Sequence, residues 1–206
     1  MTVQLYRGDG LEFMAELADD SVDAVITDPP YARQYMPLYG AIARESSRIL
    51  KRGGSYLAIV PHYSLPAILA DVGQHLKYRW CISMWQGKGK HPRMAMGIEI
   101  MWKPIVWWVK GAWPQGRGFV RDGFENDEPN KSLHPWEQAI GWADFCLKFV
   151  PADGVVIDPL MGSGTVGVAC VQTGYDFLGC EIDEASFAIA KQRIEIAEEL
   201  NRQEKG

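Results

Sequence analysis

"VVIDPLMGSGTVGVAC", residues 155–170, decides how this chain folds. An apolar run closes on an acid, a glycine-rich turn follows, and small residues at helical spacing come next: strand, loop, helix. Gly162 and Gly164 let the backbone bend tightly and approach a ligand, while Ser163 and Thr165 offer hydroxyls. Such a loop at the carboxyl end of a parallel strand is where open α/β sheets bind cofactors. No lysine follows the glycines, as a phosphate-binding loop would need, and the G-x-G-x-x-G spacing of dinucleotide sites is absent. About twenty residues further on, the next strand, "DFLGCEID", carries Glu181 near its end, either as acceptor for a ribose diol or as a solvated strand-end acid.

The same alternation of short apolar runs and helical patterns extends through the chain, the mark of a mostly parallel sheet covered on both faces. Strands are expected at "VQLYRGD", "DAVIT", "SYLAIV" and "YRWCISMW", and helices at "GLEFMAEL", "LYGAIARESSRIL", "SLPAILADVGQHL" and "PWEQAIGWADFCLKFV". The run "IEIMWKPIVWWVK" reads as one bulged strand or a hairpin, and "GAWPQGRGFVRDGFENDEPNKS" as a polar loop. In the last helix Phe187, Ala190, Ile194 and Ala197 share one stripe behind an Asp183 N-cap. With 206 residues, 47% of them hydrophobic, the chain is globular and is expected to form one domain.

No run reaches the ~18 apolar residues of a membrane span. Arg7, Asp9 and Glu12 stand where a signal peptide would be apolar, so a soluble cytoplasmic protein is expected. The four scattered cysteines fit reduced, buried thiols and no metal site. A net charge of −5 argues against a stand-alone binder of polyanions.

A second stretch, "VITDPPYARQY" (residues 25–35), ends an apolar strand on Asp28, two prolines and Tyr31. Taken alone it is either a Pro-rich turn or a rigid cradle for a reacting group. Pro29 restricts Asp28 to an extended backbone, and both prolines have fixed φ, so the direction of the Pro29 carbonyl is set.

"TDPPYA", "DPLMGSGT" and "GCEID" together resemble the S-adenosylmethionine-dependent DNA amino-methyltransferases, in the permuted (β) order that places the catalytic motif before the cofactor motif. The resemblance covers most of the chain. It implies a Rossmann-like methyltransferase fold, a mostly parallel sheet with one antiparallel strand and helices on both faces. It also implies a single domain, 1–206, with a catalytic half 1–110, a short segment 111–133 and a cofactor half 134–206. S-adenosylmethionine is the implied cofactor: Asp9 near its adenine, Asp158, Pro159 and the loop Gly162, Ser163, Gly164, Thr165 at its methionine end, Glu181 at its ribose. Asp28 and the Pro29 carbonyl would accept the two N–H bonds of an exocyclic amine, with Pro30 fixing the loop and Tyr31 offering a face to an unstacked base. A related family that methylates protein glutamine has Asn at the Asp28 position and cytosine-N4 enzymes more often Ser, so Asp28 favours adenine N6. Cytosine N4, an RNA substrate and a non-catalytic interaction protein are the alternatives.

The chain departs from the family pattern at Leu160, at Val166 and in "HPWEQAI", where His134 is a cofactor contact or only a helix-start residue. Residues 111–133 are also too few for a target-recognition module. The expected contacts to DNA are therefore two loops of low sequence selectivity, with Lys88, Lys90, His91 and Arg93 in "GKGKHPR" and Arg117 and Arg121 further on. A second copy of the chain or a specificity partner would add surface. Trp102, Trp107 and Trp108 are expected in the core and His62 as a strand-end residue without a catalytic task.

Overall fold

The structure is a computed structural model, and it describes residues 1–86, 93–94, 96–112, 119–126 and 140–204. Eight strands form one sheet: β1 (Val3–Arg7), β2 (Val22–Thr27), β3 (Leu50–Ile59), β4 (Lys77–Gln86), β5 (Trp102–Val109), β6 (Gly123–Asn126), β7 (Val155–Asp158) and β8 (Asp176–Glu181). Their order across the sheet is β1-β8-β7-β2-β3-β5-β4-β6. Neighbours from β1 to β3 are all parallel, and β6 is parallel to β4. Only β5 runs against the rest, antiparallel to both β3 and β4. The expected sheet with one antiparallel strand is therefore present. Its first and last strands in the sequence lie side by side, with Val3 opposite Phe177 and Arg7 opposite Glu181.

Both faces are buried, which is why the central strands read as unbroken apolar runs. Because successive side chains point to opposite faces, Ala24 and Ile26 join Leu57, Val156 and Phe177 under α4 (Gly141–Leu147), α5 (Thr165–Thr173) and α6 (Glu184–Glu204). Val25, Tyr56 and Ile157 face the other way, under α1 (Gly10–Glu16), α2 (Met36–Ile49) and α3 (Leu65–Val72). Trp107 and Trp108, neighbours on β5, are buried on opposite faces. Ala190, Ile194 and Ala197 of the α6 stripe are buried, and Asp183 caps that helix by accepting from the Ser186 N–H. Cys146, Cys170 and Cys180 are buried, Cys81 is half-buried, and all four are free thiols. Among the described residues no group of side chains could hold a metal ion, and no helix is long and apolar enough to cross a membrane.

Three boundaries differ from the sequence reading. Residues 51–54 look like a helix stop, yet β3 already begins at Leu50, whose own backbone is extended where it closes α2. Gly53, at φ +82°, turns the strand so that Gly53 and Gly54 exchange backbone hydrogen bonds with Lys110, which local propensity does not reveal. The run from 98 to 110 yields one strand, β5, at Trp102–Val109; among the described residues an isolated antiparallel bridge joins Arg93 and Glu99, and the bulge falls in β4, between Tyr78 and Trp80. The polar segment contributes β6, whose Gly123 lies so close to Ser83 that a β-carbon would meet its hydroxyl at 2.5 Å.

Candidate active site

Parallel strands deliver their carboxyl ends to one edge, and here that edge collects acids. β2 runs into Asp28, β7 ends at Asp158, β8 ends at Glu181, and β1 leads through Gly8 to Asp9. Strand pairing sets them in sequence across the sheet, with the Gly8 N–H donating to the Glu181 carbonyl at 3.1 Å. Asp9 is also the N-cap of α1, its Oδ1 accepting from the Leu11 and Glu12 amides at 2.8 and 3.1 Å.

Asp158 is only 3% exposed. Burial pushes its carboxyl up to about 7, opposed by Thr27 and by the Leu160 N–H, which donates to Oδ1 at 3.1 Å; the charges of Asp28 and Glu181 raise it further. Burial likewise raises the Cys180 thiol, with help from Asp9 and Glu181. Asp28 and Glu181 thus lie close enough to Asp158 to disfavour its charge.

The glycine loop is built against this cluster. Met161 donates its N–H to the Cys180 carbonyl, and Gly162, at φ +52°, donates to Glu181 Oε2 at 2.9 Å. The other oxygen of Glu181 accepts from the Asp183 N–H at 2.8 Å, so this carboxylate ties two loops together. A β-carbon on Gly162 would find nothing within 4 Å, whereas on Gly164, at φ +80°, it would meet Ala190 at 3.0 Å. One glycine opens onto space; the other seals α5 against α6. Thr165, the first residue of α5, is buried.

Two supporting contacts escaped the sequence reading. The Arg193 guanidinium of α6 donates to the carbonyl and the hydroxyl of Ser163 at 2.6 and 2.9 Å, so Ser163 is held from behind. Gly10 lies against Pro159, whose carbonyl oxygen would stand 2.2 Å from a β-carbon there. An i, i+30 side-chain contact and a helix-start glycine carry no local signal.

At the end of β2, Pro29 is buried, and Asp28 keeps surface open to solvent. The protein packed around Asp28 raises its carboxyl above the ordinary value, while the Tyr31 hydroxyl and the Lys103 charge pull it down. Tyr31 donates its hydroxyl to Asp28 Oδ1 at 2.6 Å, and the Lys103 ammonium lies 5.3 Å from the centre of the Tyr31 ring. Tyr63, after β3, donates to the Tyr31 carbonyl. His62 stands edge-on to Trp102 at 4.7 Å, its imidazole pushed down by burial. Tyr31 thus does more than present a ring: its hydroxyl engages the neighbouring acid.

Of the cationic candidates, Arg93 is exposed and lies 3.7 Å from the Glu99 carboxylate, and Arg121 is exposed. Lys88, Lys90, His91, Arg117 and His134 lie outside the described residues.

The profile of the DNA methylase family matches residues 143–192, from α4 through the glycine loop into α6. The chain is 20% identical over 249 aligned positions to the type II methyltransferase M.ScaI of Streptomyces caespitosus, covering 94% of this chain and 81% of that protein. Its fold is similar to M1.HpyAVI, solved as a complex with SAM, at a TM-score of 0.72 and 21% identity over 93% of this chain and 100% of that one. PvuII DNA methyltransferase, described as cytosine-N4-specific, matches at 0.79 and 16% identity, covering 98% of this chain and 92% of the other. The strand order, the glycine loop and the family match that spans it agree: residues 143–192 match the DNA methylase family, and the chain as a whole shares its fold with solved DNA methyltransferases.

Proposed function

We propose that the protein transfers a methyl group from S-adenosylmethionine to the exocyclic amine of a base in DNA, with adenine N6 as the target. The observation that carries this reading is the row of acids at the strand ends, Asp9, Glu181, Asp158 and Asp28, with Asp158 buried and opposed by the charges of Asp28 and Glu181, along the edge where a left-handed glycine loop leaves open space at Gly162. Such a site favours a cationic ligand, since a positive charge relieves the repulsion. S-adenosylmethionine carries a sulfonium and an ammonium, so the residues present fit it.

In this reading Glu181 accepts from the ribose hydroxyls, Asp9 lies near the adenine, and Asp158, Pro159 and the loop Gly162 to Thr165 hold the methionine end. When bound, the cofactor supplies an electrophilic methyl. Asp28 accepts one N–H of the target amine and the Pro29 carbonyl the other, which pulls the nitrogen from its planar, delocalised form and aims its lone pair. No strong base is needed beforehand, because the nitrogen becomes acidic only once methylated; its proton then leaves, with Asp28 the nearest acceptor. Pro30 fixes the loop, and the Tyr31 ring supports the unstacked base.

The choice of adenine rests on Asp28 at the head of D-P-P-Y. Contacts to the DNA backbone come from Lys88, Lys90, His91 and Arg93 and from Arg117 and Arg121, and a second copy or a specificity partner supplies further surface. The test is mass analysis of nucleosides from cells expressing the protein, against an Asp28→Ala control. N6-methyldeoxyadenosine is expected. N4-methyldeoxycytidine would overturn the target, methylated RNA alone the substrate, and no new modification with intact cofactor binding the catalytic reading itself.

A further inference from the structure

β5 is the one strand that begins, and does not end, at the edge where the acids gather. Ile105 pairs with Ile59 at the end of β3, and the Val60 N–H donates to the Pro104 carbonyl at 2.9 Å. The next residue toward the amino end, Lys103, is therefore set beside the loop that follows β2. Its ammonium lies 5.3 Å from the centre of the Tyr31 ring, within cation–π range, and its charge acts on Asp28. Among the described residues Lys103 forms no ion pair of its own.

We propose that Lys103 is a positioning residue of the methyl transfer: from β5 its ammonium holds Asp28 in the ionised, hydrogen-bond-accepting form and braces one face of the Tyr31 ring. This rests on the reading of Asp28 as the acceptor of the amine. An acid that accepts an N–H must be a carboxylate, since a carboxyl that has taken up a proton becomes a competing donor. The surroundings of Asp28 mostly oppose its charge. Protein packed around it removes solvation, Asp158 on β7 is a like charge when ionised, and Tyr39 on α2 offers only a neutral hydroxyl that already donates to the Ile59 carbonyl. Two groups favour the carboxylate: the Tyr31 hydroxyl on its own loop, and Lys103 from across the sheet. Tyr31 belongs to the loop that carries Asp28, whereas Lys103 stands on a separate strand, paired with Met84 of β4.

The test compares Lys103→Met, Lys103→Gln and Lys103→Arg. In wild type and each variant the carboxyl carbon of Asp28 is followed by carbon-13 resonance as pH is varied, without DNA or cofactor. Methylation rates of a DNA substrate are measured in parallel between pH 5.5 and 9. Removing the charge should move the Asp28 titration to higher pH. The loss of kcat/KM in the Met and Gln variants should be greater at the acid end of this range than at the alkaline end, with Arg restoring the wild-type profile and cofactor affinity unchanged. An unmoved Asp28 titration would overturn the proposal. So would a loss that is equal at all pH values, and one that is accompanied by a weaker salt dependence would make Lys103 a phosphate contact instead. If wild type made no methylated base while the titration still moved, the fault would lie with the proposed reaction and not with the pairing of Lys103 and Asp28.

Discussion

Gly162 and Gly164 are two residues apart, both left-handed, and should fail in opposite ways when replaced by alanine. A left-handed conformation costs an alanine ~1–2 kcal/mol relative to glycine. At Gly162 nothing lies within 4 Å of the added methyl, and its N–H stays free to donate to Glu181, so the loss of stability should stop there. At Gly164 the methyl would stand 3.0 Å from the Ala190 Cα and Cβ and 3.2 Å from Ile194 Cδ1, on the buried stripe of α6. Forcing α5 and α6 apart adds ~1–3 kcal/mol of overpacking, for a total of ~2–5 kcal/mol. Urea unfolding without ligand measures both. Calorimetric titration with S-adenosylmethionine should then show the inverse ranking per unit of stability lost. The Gly162→Ala methyl projects into the space assigned to the cofactor and should weaken binding by ~10-fold or more, about 1.4 kcal/mol. Wild-type affinity in folded Gly162→Ala would show that the open space is not the ligand's. Equal destabilisation by the two changes would refute the distinction between an open and a sealed glycine.

Asp28→Ala should leave cofactor affinity nearly intact and lower turnover by ~10²-fold or more, because its hydrogen bond strengthens in the transition state; single-turnover rates that match wild type would reduce the motif to a turn. Glu181→Ala should weaken cofactor binding by ~1.5–3 kcal/mol and also destabilise the free protein, since the Gly162 and Asp183 amides lose their acceptor. Calorimetry giving unchanged affinity alongside a lowered melting temperature would leave Glu181 a loop tie only. Asp158, at about 7 in the folded protein and ordinary when unfolded, retains a proton that the unfolded chain has lost, so its contribution to stability falls as pH rises from about 4 to about 7 and is level above that. A bound ammonium favours the carboxylate, so cofactor affinity should rise between pH 6 and 8 with uptake of protons by the buffer, and affinity that is flat or falls over that range would separate Asp158 from the cofactor.

What could be read from the sequence was what is decided within about a dozen residues. The strand, loop and helix of residues 155–173 follow from apolar β-branched residues, two glycines and small residues in order, and the structure reproduces them. The D-P-P-Y turn is legible for the same reason, since proline fixes φ whatever surrounds it. β3 was read short because its start is set by pairing with distant strands: Val22 opposite Leu50 and Ala24 opposite Ser55, with the intervening residues accommodated by a shift of register. β6, four residues with little apolar character, is a strand only because β4 presents an edge to it. In the candidate site the acids at strand ends were visible, and what holds them was not. Arg193 reaches Ser163 across 30 residues of chain, and Lys103 meets Tyr31 across the sheet. The sequence shows Tyr31 as a ring beside the turn, while the bond from its hydroxyl to Asp28 depends on a loop conformation that spacing does not specify.

The two proposed ligands place opposite demands on one edge: the cofactor is cationic, the DNA a polyanion, and the chain has a net charge of −5. The strand order separates these demands in space. From β1 as far as β5, the residues at this edge run Asp9, Glu181, Asp158, Asp28, His62 and Lys103, with Glu125 beyond them on β6. Over these strands charge passes from acidic to neutral to basic, and Asp28 is the last acid before Lys103. A methyl carried on a cation would approach from the acidic side and a nucleotide from the basic side, meeting at β2. The permuted order makes this possible, because β1 and β8, from opposite ends of the chain, pair to extend the acidic side, while β5 turns its beginning toward the basic one. An acidic protein can in this way present a basic group to DNA without a basic surface overall, with Lys103 on the side of Asp28 away from the other three acids.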